Sequence, residues 1–373
     1  MVKKERLVEE FLELVQIDSE SGNEAKIAAV LKAKLEALGL AVVEDDSKEK
    51  TGLGSGNLIA TLKGNVADAD PILFSCHFDT VTPGIGVKPV INGDLIESDK
   101  TTILGADDKA GIAALLEGIR LLKENDIAHG DIEFVLTAGE EVGLVGASAV
   151  DMKSLAAKYG FALDSGGSVG EIIVASPDHG KIKAHVHGVA AHAGVAPEAG
   201  VSAIEIAAKA ITNMPLGRLD EELTANIGVI QGGERTNIVC DSVQLSGEAR
   251  AITFSKLEGQ MNAMGKALED AASERGCRVD VEITYEHVGY RLEETDPVVQ
   301  VAQAAIKKVG RTPELKTTGG GSDANIFTIG GIPTANLGVG YLDIHSKEEK
   351  MPISELVKLT ELVVALAQTA ASS

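Results

Sequence analysis

The chain has 373 residues with 34 basic against 56 acidic side chains, a formal charge of −22. That field repels phosphate backbones and anionic membrane surfaces and favours solubility. Aromatic residues make up 3%, with no tryptophan, which argues against a base-stacking platform for nucleic acid, and no stretch approaches the roughly 18 apolar residues that span a membrane.

At this length, with 44% hydrophobic residues and a mean hydropathy of +0.10, two domains or one large domain with an insertion are expected. Met1-Val-Lys-Lys-Glu-Arg leads into an amphipathic helix with Leu7, Val8, Phe11, Leu14 and Val15 at helical spacing. It shows no apolar signal region, so the cytoplasm is the expected compartment. A second helix is expected to open at a Ser21-Gly-Asn-Glu24 capping box, to bury Ile27, Leu31, Leu35 and Leu38, and to stop at Gly39. Phe74-Ser-Cys-His77 reads as a buried strand. A third helix follows from about Lys109 to Glu124, with Ile112, Leu115, Leu116, Ile119 and Leu122 on one face and Lys109 as a solvated charge. Ile132 to Leu136, Phe161-Ala-Leu and Pro333 to Leu337 read as further short buried strands. Alternating strands and helices point to an α/β sandwich with helices on both sheet faces.

Between Pro177 and Tyr290 the pattern changes. Lys181 to His187 alternates like a half-exposed strand, a helix runs from about Ser202 to Met214, and strands follow at Thr224 to Ile230 and Ser242 to Arg250. Ser255-Lys-Leu-Glu258 is expected to cap a helix carrying Leu257, Met261, Met264 and Leu268, and Arg278 to Tyr285 is a last strand. This β-α-β-β-α-β order is that of the ferredoxin-like motif. The expected division is a first domain of residues 1–177 and 291–373, interrupted by an inserted antiparallel domain of residues 178–290. Cys76, Cys240 and Cys277 are odd in number and lack CxxC spacing, which argues against a disulfide framework or a cysteine zinc site.

The residues that carry chemistry cluster after the strands. His77 and Asp79 form an H-x-D strand end, in which a metal-binding imidazole is oriented by a carboxylate or the pair is a surface coincidence. Asp107, at the start of the third helix, is an N-cap or a carboxylate shared by two cations. Glu140-Glu141, in the small-residue stretch Thr137 to Gly143, is a charged turn or a ligand beside a free carboxylate. Asp164 is a turn cap or a ligand, and His345 a solvated loop imidazole or a ligand. Sites in open α/β sheets form outside the carboxyl ends of the strands, and all of these residues fall at strand ends or helix starts. Two imidazoles with several carboxylates suit zinc, with cobalt or manganese as substitutes.

The chain resembles the peptidase T-like branch of the co-catalytic zinc exopeptidases, which includes carboxypeptidase G2-like enzymes and aminoacylases. The resemblance rests on the H-x-D strand end, the Gly-Ala-Asp-Asp-Lys turn, the Glu-Glu pair, Gly188-Val-Ala-Ala-His-Ala-Gly194, Pro197-Glu-x-Gly-x-Ser-Ala203, Gly319-Gly-Gly-Ser-Asp-Ala-Asn325 and a His-Ser motif running from His345 to Glu348. It implies a helix–sheet–helix zinc exopeptidase fold with an inserted lid and dimerisation domain. It implies two Zn²⁺ per subunit, one on His77 and Asp164, the other on Glu141 and His345, with Asp107 bridging. Asp79 would orient His77, Glu140 would be the general base, and His192 would donate to the oxyanion, often from the partner subunit. Asn237 and Arg250 are candidates for the substrate's carbonyl and carboxylate, Arg250 being otherwise a strand-surface ion pair, with Gly320 and Ser322 on a loop near the substrate. The resemblance also implies a cis peptide between Asp107 and Asp108 and a homodimer through the inserted domain. The expected activity is that of an aminopeptidase on tripeptides or similar short peptides. A deacylase of N-acyl amino acids or a carboxypeptidase is the alternative within the enzyme class, and a non-catalytic metal- or peptide-binding protein the alternative outside it.

Overall fold

The computed structural model of the chain describes residues 1–372 and, at His287, the backbone alone. It divides into two compact units, one of Met1–Val174, Leu292–Thr317 and Ser322–Ser373, the other of Ala175–Arg291 with Thr318–Gly321.

The first unit is built on a mixed sheet. Its strands lie in the spatial order Ala41–Glu44, Leu58–Leu62, Ile132–Thr137, Ile72–His77, Tyr159–Ser165, Thr334–Gly338 and Glu171–Ser176. The central four are mutually parallel, with Ile72 opposite Ile132 on one side and Tyr159 on the other, and Thr334 opposite Gly160. Ile72–His77 and Ile132–Thr137 are buried along their whole length, as parallel strands covered on both faces must be. Successive side chains serve opposite faces: Leu73 packs with Phe327 and Ile332, while Cys76 stands against Gly111 of helix Ala106–Glu124, where a Cβ would come within 2.8 Å of its sulfur. Four parallel neighbours have their carboxyl ends on one edge. That edge is where His77, the Glu140 loop, Asp164 and the loop to His345 emerge.

Several local expectations change. Ser21 does not cap the second helix, Ala25–Ala37, whose N-cap is Glu24 without a side-chain cap. The Ser21 hydroxyl donates instead to Asp79 Oδ2 at 2.7 Å, and the Glu24 carboxylate accepts from the N–H groups of Gly22 and Gly54. Leu38 is only partly buried, as the C-cap. Helix Ala106–Glu124 has non-helical backbone at Asp107 and Asp108, and the peptide joining them is cis, as the resemblance implied. Lys109 is not solvated: it is 1% exposed and donates from Nζ to the Ile17 carbonyl at 2.9 Å.

The second unit holds an antiparallel sheet in the order Gly217–Arg218, Leu223–Gly232, Ser242–Ala251, Asp178–His187, Val279–His287. Helices Ala203–Asn213 and Phe254–Glu274 cover one face, where Ile182, Ala184 and Val186 meet Leu257, Met261, Met264 and Leu268. Ser202 caps the first by accepting from the Glu205 N–H. The second is preceded by Thr253 rather than capped at Ser255. Among the described residues no helix is long and apolar enough to cross a membrane.

Candidate metal and catalytic centre

The carboxyl edge of the central strands gathers the five expected ligands. His77 ends its strand, and Asp164 is the penultimate residue of Tyr159–Ser165. Glu141 and His345 stand in loops beyond Ile132–Thr137 and Thr334–Gly338, and Asp107 enters from the kinked start of its helix. His77 Nε2 is 3.0 Å from Asp107 Oδ1 and 3.7 Å from Asp164 Oδ1. His345 Nε2 is 2.9 Å from Glu141 Oε1 and 3.3 Å from Asp107 Oδ2. One oxygen of Asp107 therefore faces each imidazole. Three groups of three donors result: His77 with Asp107 and Asp164, Asp107 with Glu141 and His345, and His77 with Glu140 and Glu141. Asp107 is common to the first two, and Glu140 belongs to neither of them.

These residues fit a pair of divalent cations. The donor set is mixed nitrogen and oxygen, the preference of zinc and its neighbours, and one carboxylate is common to both triads. The crowding of acids supports the same reading. Burial pushes the Asp164 and Glu140 carboxyls well above the usual carboxylate range, and nearby carboxylates reinforce this. Burial acts on Asp107 too, but hydrogen bonds from His345 and His77 outweigh it and hold that carboxyl below its ordinary value. Hydrogen bonds to Asp107 and Glu141 push His345 up to about 10.

A second layer of contacts holds these donors. His77 Nδ1 is 3.0 Å from the Asp79 carbonyl oxygen and 3.4 Å from its Oδ1, which leaves Nε2 turned to Asp107. The Asp79 carboxylate also accepts the N–H groups of Glu140 at 3.0 Å and Glu141 at 3.3 Å. Asp79 thus meets the imidazole most closely through its main-chain carbonyl, while its carboxylate grips the Glu-Glu loop. Glu349 accepts from the N–H groups of Leu104 and Gly105 at 2.8 Å and of Asp107 at 3.1 Å. It holds the approach to Asp107, where Gly105 takes a left-handed φ of +75° that favours glycine. Asn336 clamps the Asp164 backbone, accepting its N–H at 3.0 Å and donating to its carbonyl at 2.8 Å. The Tyr341 hydroxyl sits 3.3 Å from both Asp107 Oδ1 and Asp164 Oδ1.

Glu349, Asn336 and Tyr341 were not among the expected site residues, and Ser21 was expected only as a helix cap. In the His345 loop the buried acid is Glu349, whereas Glu348 is exposed and pairs with Lys100. Asp323, in the Gly-rich segment, is also buried, with its Oδ2 accepting from the Thr137 hydroxyl. Ser322 caps helix Asp323–Ile329 reciprocally with Asn325.

His192, Asn237, Arg250 and Gly320 belong to the second unit. There His192 bridges to Ile238, and the Asn237 carbonyl accepts from the Ala193 N–H at 3.0 Å. Arg250 donates to Glu248 Oε1 at 3.1 Å and to the Gly319 carbonyl at 2.9 Å. The Gly320 carbonyl accepts from the Ser176 hydroxyl at 2.8 Å.

Loading the centre with a divalent cation is expected to release protons. A ligating imidazole must be neutral, yet without a cation His345 favours its charged form up to about pH 10. Protons therefore compete with the cation, and affinity should fall as pH falls. Calorimetric titration in buffers of different ionisation enthalpy reads the release directly, and cation uptake with no proton release at neutral pH would contradict it.

Residues 73–369 match the profile of peptidase family M20/M25/M40. The chain is 56% identical to the uncharacterized protein YqjE of Bacillus subtilis over the full length of both. Its fold superposes on a crystal structure of aminopeptidase PepT from Bacillus cereus with a TM-score of 0.96, at 55% identity and 99% coverage of each chain. It superposes on a tripeptidase from Staphylococcus aureus with a TM-score of 0.98, at 43% identity and full coverage of both.

Proposed function

The chain belongs to peptidase family M20/M25/M40, and from that premise we propose that it is a zinc-dependent aminopeptidase of the peptidase T kind that hydrolyses tripeptides. The observation that carries the reading is the sharing of Asp107 between two donor triads with a further carboxylate, Glu140, beside them. A protein that only binds metal has no use for that extra acid.

His77 and Asp164 would hold one zinc ion, Glu141 and His345 the other, with Asp107 between them. When bound there, such a pair would supply acidification of a water and polarisation of the scissile carbonyl. Glu140 takes a proton from the attacking water as its oxygen bonds to the carbonyl carbon, then delivers it to the amine nitrogen as the C–N bond breaks. The burial that raises its proton affinity suits a group that must both take and give a proton. Asp79 keeps the Glu140 backbone in register with His77.

In this proposal an inserted domain of residues 178–290 serves as lid and dimer contact and supplies His192, Asn237 and Arg250. His192 donates to the developing oxyanion, from its own or the partner subunit. Asn237 binds a substrate carbonyl, and the planar fork of Arg250 the peptide's carboxylate. Gly320 and Ser322 line the path of the substrate. His192→Ala is expected to lower kcat by roughly 10²–10³-fold with metal content unchanged, because it removes a transition-state contact and no ligand. Activity within about twofold of the parent would take His192 out of the chemistry.

The three cysteines are unpaired in the structure, which suits a reducing cytoplasm. A hydrolysis panel of free tripeptides, dipeptides and N-acetyl amino acids, each with zinc, cobalt or manganese, tests the proposed activity. Preference for N-acetyl substrates would move the chain to the deacylases, and no turnover of any substrate would leave a binding protein.

A further inference from the structure

The second unit carries another set of metal-binding donors, on the sheet face away from its helices. Strand Asp178–His187 buries Ile182, Ala184 and Val186 against the helices, so Lys183, His185 and His187 stand on the opposite face. Asp280, on the adjoining strand Val279–His287, is the cross-strand partner of His185. His187 Nε2 lies 2.7 Å from Asp280 Oδ2, and the two imidazole centroids are 4.1 Å apart. One donor atom from each of the three falls within 4.8 Å of the others. A cleft of about 340 Å³ opens over His185, Asp280, Gln244 and Ser246.

We propose that His185, His187 and Asp280 bind a divalent transition-metal ion, zinc foremost, as a site separate from the residues of the peptidase centre. Two imidazoles and a carboxylate are a three-ligand zinc set, with the fourth position left to water. Donors around a tetrahedral zinc sit roughly 3.4 Å apart, so small side-chain rotations bring these atoms to ligating distance. The backbone needs no change, since the histidine strand is hydrogen-bonded on both sides, to Ser242–Ala251 and to Val279–His287. The Ser242 hydroxyl, 2.9 Å from His185 Nε2, provides the polar neighbour that fixes a ligating ring.

Lys183 lines the same cleft, and one guanidinium lies close to the donors and opposes binding. Arg278 Nη2 is 3.4 Å from His187 Nε2 and 3.7 Å from Asp280 Oδ2, where its charge repels an arriving cation. The side chain is largely exposed and can swing into solvent. Its removal should therefore strengthen the site, a sign that a bare His–Asp ion pair would not produce.

The test is a zinc titration of enzyme whose peptidase centre is already loaded, with bound zinc measured by equilibrium dialysis and elemental analysis. The expected result is one further equivalent in the parent. His187→Ala and Asp280→Asn should weaken that equivalent by about tenfold or more, Arg278→Ala should tighten it severalfold, and each should keep the parent's peptide hydrolysis. Thermal melting of His185→Gln beside the parent guards against a folding defect, since the glutamine keeps polarity at a surface position. A parent that takes up no further zinc overturns the site, as does a His185→Ala/His187→Ala double variant that retains it. Arg278→Ala binding more weakly than the parent overturns the ligand assignment. Because the readout is bound zinc, failure here is distinguishable from failure of the peptidase reading.

Discussion

Glu140→Gln is expected to lower kcat by roughly 10²–10⁴-fold while metal content stays at the parent's level. The substitution preserves the shape of the side chain and the backbone N–H that Asp79 accepts at 3.0 Å, so the loop should keep its place. Glu141 also keeps its 2.9 Å contact with His345. What disappears is the ability to take a proton from the attacking water and return it to the leaving amine. The separation of base from ligands predicts a clean split between the two measurements. Loss of metal with loss of activity would make Glu140 a ligand, and turnover within about threefold of the parent would remove it from the mechanism.

Asp107→Ala should act in the opposite order, emptying the centre first. Its two oxygens face different imidazoles, at 3.0 Å and 3.3 Å, so one substitution takes a donor from both triads. We expect metal content to fall by at least one ion per chain and activity to fall by more than about 100-fold, beyond what loss of a supporting group would cause. The fold should survive, because the approach to Asp107 is also held through the main chain by Glu349. Elemental analysis of the purified variant decides. Full metal occupancy would refute the shared ligand even if activity were lost.

The strand ends carrying the chemistry were legible because buried parallel strands announce themselves as short apolar runs. His77, Glu140-Glu141 and Asp164 follow or end such runs, and His345 follows a fourth. The alternation of Asp178–His187 likewise marks a strand with one covered face. These are periodicities of two or of none, and they survive in one dimension. The motif resemblance implied the cis Asp107–Asp108 peptide that the structure contains, which local pattern cannot encode.

Polar partners were misread wherever a local pattern competed with a distant one. Ser21-Gly-Asn-Glu24 matches a capping box, but the hydroxyl goes to Asp79, 58 positions away. Lys109 looks like an ordinary helix charge until the chain brings the Ile17 carbonyl beneath it. Nothing in His345 to Glu349 tells which of two adjacent acids turns inward, and Glu349 is chosen by backbone donors at Leu104, Gly105 and Asp107.

The sequence by itself therefore determined several buried strands, the covered face of Asp178–His187 and the donor types that follow those strands. Only the tertiary structure decided that the four strands are neighbours running the same way, that Asp107 turns one oxygen to each imidazole, and that Asp79, Glu349 and Asn336 bond to the candidate donors and the loops that carry them. The physical reason is range. Apolar periodicity is a property of consecutive residues, whereas a buried carboxylate or ammonium takes whichever donor or acceptor the folded chain places within about 3 Å of it.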